Sequence, residues 1–298
     1  MNGALAGSRR GVAITRRRGR SEIGAGDPRL MTTTPLHRIH DLPLRWSMAK
    51  VSGLASKATM TRLIAAEVLL GEQRQPAAAT AVPVRVPELG GRVVWLRPRS
   101  RDRAALEFLH LGWHLPPDEL AGPIRHAAVF GANIGLLAAD LAARYPQAQL
   151  LGVEADHDNA VMARRNLAGL GGRCIVEETA VWHRDETLNL AWVPDAWGQE
   201  VTGHRPGPGI ETDPVEAVDA GNLLADFTGP APLDYVLVNI ESAWYEMLRH
   251  GEWTRNVRSI KIEIQDHYDE AAGMLEALGF RARLQRLDWG AFAIGVRE

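Results

Sequence analysis

The strongest constraint on this chain is the order of its hydrophobic patterns from His126 onward. Short β-type runs alternate there with segments of helical periodicity. Residues 127–130 form an apolar run that stops at Gly131. Apolar residues then recur at Ile134, Leu137, Ala138, Leu141, Ala142 and Tyr145, the spacing of one helix face, and Pro146 stands just past the end. Residues 150–153 predict a second strand, and Asp156 or Asp158 is placed to cap a helix running to Gly171 and Gly172. Residues 173–176 predict a third strand. Residues 233–240 and 259–265 are dense in β-branched residues, as strands buried on both faces are. Asp266 can then cap a helix with Tyr268, Ala271, Leu275 and Leu278 on one face, and residues 280–286 and 291–296 close the chain as an antiparallel pair. Such alternation specifies an α/β domain with a doubly wound, mostly parallel, Rossmann-like sheet.

Upstream the pattern is weaker. Residues 47–71 predict a helix with Leu54, Met60, Leu63, Ile64 and Leu69 as apolar positions. Residues 75–87 are rich in Pro and Ala and read as a linker, 92–97 as a strand closed by Pro98, and 103–112 as a helix. Hydrophobic residues at 46% and charged residues at 23% exclude a wholly disordered or collagen-like chain. No run reaches the roughly 18 apolar residues of a membrane span. The single cysteine, Cys174, excludes an internal disulfide and a Cys-rich zinc module, and its place in a predicted strand suits inert burial.

The net charge of −2 conceals a division. Residues 1–30 carry seven arginines against Glu22 and Asp27, a balance of +5, which leaves −7 for the rest. The expected organisation is a disordered basic leader over 1–30, a helical and linker region over 31–92, and the main domain over 93–298. An acidic body argues against nucleic acid as a partner. The leader lacks the apolar core of a secretory signal, and with one cysteine the expectation is a cytoplasmic protein.

In open α/β sheets ligands bind beyond the carboxyl ends of the strands. The first strand–helix turn reads Gly131-Ala132-Asn133-Ile134-Gly135, whose glycines allow a tight turn and close backbone approach. The second strand ends in Glu154, 19 residues beyond Gly135, where a carboxylate can accept hydrogen bonds from both hydroxyls of a ribose. Together these features point to a nucleoside site, against the plainer alternative of a glycine turn with no ligand. The dinucleotide fingerprint G-x-G-x-x-G/A is not met, because Asn133 and Leu136 stand where small residues belong. A ligand without phosphates needs no such glycines, which favours S-adenosylmethionine over a nicotinamide.

The stretch from Val129 to Trp182 resembles the FkbM family of S-adenosylmethionine-dependent methyltransferases. It carries the family's G-A-N-x-G turn at Gly131–Gly135, the acidic residue Glu154, the N-L pair Asn166-Leu167 and the A-V pair Ala180-Val181. Leu96-Arg97-Pro98 with Asp102 is similar to its lead-in, residues 234–242 to its D-x-x-K-I-D-V-E-G strand, and Ile262-Glu263-Ile264 to its late I-E element. The resemblance extends over residues 93–296. It implies a class I methyltransferase domain, S-adenosylmethionine as cofactor and methyl transfer to a hydroxyl of a small molecule, natural product or glycan. The site residues it implies are Gly131, Asn133, Gly135, Glu154, Glu178 and Asn239 for the cofactor and Glu241 as general base, with His183 second. Val129 stands where the family has the first Asp of the turn, and Asn239, Ser242 and Trp244 replace Asp, Gly and Glu of the later strand. Two carboxylates that the resemblance would put near the methionine moiety and the methyl-transfer point are thus absent. The alternatives are a catalytically weak or inactive binding protein on the same fold and a nicotinamide-dependent oxidoreductase.

Several residues keep two readings. Glu241 is either the base or the cap of a helix over 241–249. Glu178 either faces the adenine or is a surface residue. Residues 191–214, with Trp192 and Trp197, form either a substrate-facing insert or a hairpin packed on the domain's edge. His110 and His114 lie four apart, as zinc ligands on a helix can, but no third ligand is evident and no metal is expected.

Overall fold

A computed structural model describes residues 50–71, 77–192, 199–202, 211–265, 267–287 and 290–297. The basic leader, Trp197 and Asp266 lie outside the described residues.

Strands β3 (His126–Phe130), β4 (Gln149–Glu154) and β5 (Cys174–Glu178) run parallel, as do β10 (Tyr235–Val238) and β11 (Ser259–Ile264) on the other side of β3. With β12 (Arg281–Arg286) and β13 (Ala291–Val296) they form a seven-stranded sheet in the order β12-β13-β11-β10-β3-β4-β5. The chain order reverses between β3 and β10, which opens a crevice at their carboxyl ends. The final pair is antiparallel as its sequence predicts, but β13 is inserted between β11 and β12. The reason is polarity: every residue of β13 is buried, whereas β12 is rich in arginine and suits an edge.

Side chains alternate between the two faces of the sheet. Ala127, Val129, Tyr235 and Leu237 pack beneath helix α3 (Leu136–Arg144) and helix α4 (His157–Leu167). Ala128, Phe130, Val236, Val238, Ile260 and Ile262 pack against helices α5 (Ala220–Thr228), α6 (Ala243–Arg249) and α7 (Tyr268–Ala277). The sheet is therefore doubly wound. Asp156 caps α4, accepting the Asn159 amide at 2.8 Å.

The N-terminal part adds to the first face. Helix α1 (Leu54–Leu70) buries Met60, Leu63 and Ile64 but leaves Leu54 and Leu69 exposed. Part of the segment expected to be a linker is a strand: β1 (Val82–Val86) pairs antiparallel with β2 (Arg92–Leu96). Val84 and Val86 are buried at period-two spacing, and Pro83 obscures that alternation in the sequence. Helix α2 (Asp102–Leu111) follows and packs on α3.

Of residues 191–214, the described ones lie in or beside a second sheet. It contains β6 (Ala180–Trp182), β7 (Glu186–Trp192), β8 (Gln199–Thr202) and β9 (Thr212–Asp219) in the order β6-β9-β7-β8, and β7 pairs antiparallel with β8 as a hairpin does. Among the described residues no helix is long and apolar enough to cross a membrane.

Candidate functional site

A cavity opens where the strand order reverses. Gly131, Asn133, Glu154, Asn239 and Glu241 all line it, so the structure brings together five of the residues singled out in the sequence. Its walls include Phe108 of α2, Leu137 of α3, Val181 of β6 and Leu190 of β7.

The turn after β3 is closed by its own amides. Gly131 and Ala132 N–H both donate to the Val153 carbonyl at 2.9 Å, and Asn133 N–H donates to Glu154 Oε2 at 2.6 Å. Ile134 N–H donates to Asn133 Oδ1 at 2.7 Å and Gly135 N–H to the Ala132 carbonyl at 2.9 Å. Every amide from Gly131 to Gly135 thus has an acceptor within the chain. Gly131 has φ +76°, and a Cβ there would lie 1.8 Å from the Asn239 carbonyl oxygen. Gly135 lies behind the cavity at the start of α3, where a Cβ would meet Ala163 Cα at 3.0 Å. Its smallness lets α3 approach α4.

Glu154 stands at the end of β4 and is 9% exposed. Besides Asn133 it accepts the Asp156 amide on Oε1 at 3.0 Å. The Asn159 side chain is a third donor to it, and since a carboxylate has about four acceptor positions, capacity remains for a ligand hydroxyl. Burial pushes its pKa up to about 7, against the lowering effect of the two backbone amides.

Two residues hold this corner from behind. Asn166 Oδ1 accepts the Trp95 amide at 2.7 Å, and its Nδ2 donates to the Ile134 carbonyl at 2.8 Å. The β1–β2 hairpin is thereby tied to the turn. Arg97 makes a buried two-pronged pair with Asp102 and donates to Asn159 Oδ1 at 2.6 Å. That pair fixes the segment carrying Arg101, which lines the cavity.

Other candidates fall elsewhere. Glu178 lies at the exposed end of the edge strand β5, paired with His157 Nδ1 at 2.7 Å and Arg164 Nη1 at 2.6 Å, and it does not line the cavity. Those partners hold its carboxyl below the usual range. His183 stacks on His250 with ring centroids 4.1 Å apart. His110 pairs with Glu88 and His114 with Asp140, each at 2.8 Å, so the two rings serve different carboxylates. No group of three or more His, Cys, Asp or Glu side chains placed to hold a metal occurs among the described residues. Cys174 is half-buried, and burial raises its thiol pKa.

No role for Glu263 is legible in the sequence beyond its match to the late I-E element, yet it lines the cavity. It is 8% exposed, and burial with the nearby charge of Glu241 pushes its carboxyl from 4.5 up to about 8. A carboxyl raised in the folded state favours folding fully below its unfolded pKa, and that contribution is lost as pH rises through the folded value. Glu263→Gln mimics the protonated form and has nothing to lose. The melting temperature of the ligand-free variant should therefore gain on the wild type as pH rises from about 5 to about 8, then level off. A pH-independent gap, measured by thermal melts in matched buffers, would contradict the buried placement of this carboxyl.

No family model matches the chain, and no curated protein matches it in sequence. Among solved structures it is similar to an O-methyltransferase family protein from Burkholderia thailandensis, at 13% identity and a TM-score of 0.41, over 66% of this chain and 57% of that one. It is similar to precorrin-6y C5,15-methyltransferase from Geobacter metallireducens at 10% identity and a TM-score of 0.38, over 62% and 94% of the two chains. M. capricolum TrmK, in complex with S-adenosyl-homocysteine, matches at 9% identity and a TM-score of 0.38, over 63% and 66%. The chain thus spans little more than half the length of the Burkholderia protein.

Proposed function

We propose that this chain is an S-adenosylmethionine-dependent methyltransferase that methylates a hydroxyl oxygen of a small molecule, natural product or glycan. One observation carries the choice of ligand. The turn amides that would cradle a pyrophosphate are all occupied within the chain, while the Glu154 carboxyl faces the cavity with acceptor capacity to spare. That combination suits a ribose and no phosphate. The sheet also departs from the common dinucleotide order at its sixth position, where the antiparallel β13 is inserted.

In this proposal Glu154 holds the ribose, the bare backbone at Gly131 gives the ligand close approach, and Asn133 and Asn239 border the rest of the cofactor. Gly135 acts from behind by setting the position of α3. When bound, S-adenosylmethionine supplies a methyl group on a positively charged sulfur. The chain then has to place a hydroxyl in line and keep water out. Phe108, Leu137, Val181 and Leu190 form apolar walls for that purpose. Glu241 stands at the mouth, half-buried, with Gln265 Nε2 donating to its Oε2 at 3.0 Å. Its carboxylate is placed to take the proton of an entering hydroxyl.

Isothermal titration tests the cofactor. S-adenosylmethionine and S-adenosylhomocysteine should bind at one site per chain, and NADH and NADPH should not. Binding of a nicotinamide without binding of either sulfur nucleoside would overturn the proposal.

A further inference from the structure

Glu263 is a buried carboxyl that the proposed reaction has not used. Its side chain lines the cavity, and among the described residues it makes no hydrogen bond or ion pair. Val238 pairs with Ile262 across β10 and β11, so the next rung sets Asn239 beside Glu263. Asn239 also continues the pairing with β3, its amide donating to the Phe130 carbonyl at 2.9 Å. Gly131, Asn239 and Glu263 therefore follow one another along the carboxyl edge of the sheet. Glu154 lies on the far side of Gly131, three strands from Glu263, a separation of roughly 14 Å at the usual strand spacing. That is the length scale of a nucleoside joined to an amino acid.

The charge pattern along this edge is unusual. Val129, near the end of β3, and Asn239, just past β10, are both neutral. A cation enclosed in a cavity needs a counter-charge, because burying it alone is costly. The carboxyl next to the neutral Asn239 along the strand ends is Glu263 of β11. We propose that Glu263 is the counter-ion for the cationic end of the methyl donor and gives up its proton to solvent as the donor enters. The inference rests on the donor assignment proposed above.

The other charged groups that share the cavity are Arg101 ahead of α2, Glu154 at the end of β4 and Glu241 ahead of α6. Lys261, two residues back on the same face of β11, donates its ammonium to the Leu115 carbonyl at 3.0 Å. Burial first, and then the charge of Glu241, raises the proton affinity of Glu263, so the ligand-free cavity holds Glu263 mostly neutral at neutral pH. An incoming cation reverses that balance.

The test compares S-adenosylmethionine with S-adenosylhomocysteine, which keeps the ammonium and lacks the sulfonium. Calorimetry on the full chain at pH 8, in buffers of different ionisation enthalpy, counts protons released on binding. At that pH Glu154, pushed up only to about 7, is the more ionised of the two carboxyls, and the part of the release that Glu263→Gln removes is the part that reports on Glu263. Glu263→Gln should reduce the release and weaken S-adenosylmethionine by about 30-fold or more. A loss confined to S-adenosylmethionine identifies the sulfonium as the charge held, and an equal loss for both ligands identifies the ammonium. Unchanged affinity for both, or a wild type that releases no proton, overturns the inference while leaving the donor assignment standing. A wild type that binds neither ligand overturns the donor assignment itself. The proton count needs only the wild-type protein, so an absence of release overturns the inference even if the variant fails to fold.

Discussion

Gly131→Ala should abolish donor binding and destabilise the fold by about 2–5 kcal/mol. Two effects combine. The residue has φ +76°, a conformation that costs an L-residue about 1–2 kcal/mol. The added methyl would also lie 1.8 Å from the Asn239 carbonyl oxygen, which is backbone and has no flexible end to swing aside. Relief requires β3 and β10 to separate at their carboxyl ends, and that is the floor of the cavity. Gly90→Ala is the control. Gly90 has φ +66° with nothing within 4 Å of the added carbon, and it lies in the β1–β2 turn away from the cavity. It should lose about 1–2 kcal/mol and bind the donor normally. Denaturant unfolding and titration with S-adenosylhomocysteine measure both quantities. Equal losses for the two variants, with binding retained, would mean that the close approach at Asn239 is wrong.

The parts of the fold that were legible in the sequence are those where period and punctuation agree. The parallel strands β3, β4 and β10 are short apolar runs followed or ended by Gly131, Glu154 or Asn239, and Asp156 caps α4 as its position suggests. β1 was hidden because Pro83 interrupts its alternation, and the placement of β13 depends on a tertiary choice between an apolar and an arginine-rich strand. The site divides in the same way. Gly131 and Glu154 announce themselves by spacing along the chain. Glu178 stands at a strand end just as Glu154 does and pairs with it in register, but β5 is the sheet's edge, so its end meets solvent, His157 and Arg164. Glu263 has the opposite history. In the sequence it is matched only as part of the I-E element of a buried strand that also carries Lys261, and the register with Asn239 places it on the cavity. Asn166 was matched only as part of a family pair, and its work in tying Trp95 to Ile134 depends on contacts far apart in sequence.

Glu154→Ala should weaken S-adenosylhomocysteine binding at least about 10-fold, because a hydrogen bond to a charged acceptor contributes about 1.5–3 kcal/mol and a ribose hydroxyl loses its own. The substitution also frees the Asn133 and Asp156 amides, which Glu154 accepts at 2.6 and 3.0 Å. Asn133 has φ +50°, so its conformation depends on such ties, and the loss should loosen the turn as well as the ribose contact. Glu154→Gln separates the two effects. Its single carbonyl oxygen can keep one backbone amide, and its NH2 group accepts nothing. The glutamine variant should therefore retain most of the thermal stability while losing much of the affinity. Using S-adenosylhomocysteine removes turnover from the measurement and leaves out any contact that Glu263 makes with the sulfonium. If both variants bound within about threefold of the wild type, the carboxyl would serve only to brace the turn, and the ribose would have to be held elsewhere in the cavity.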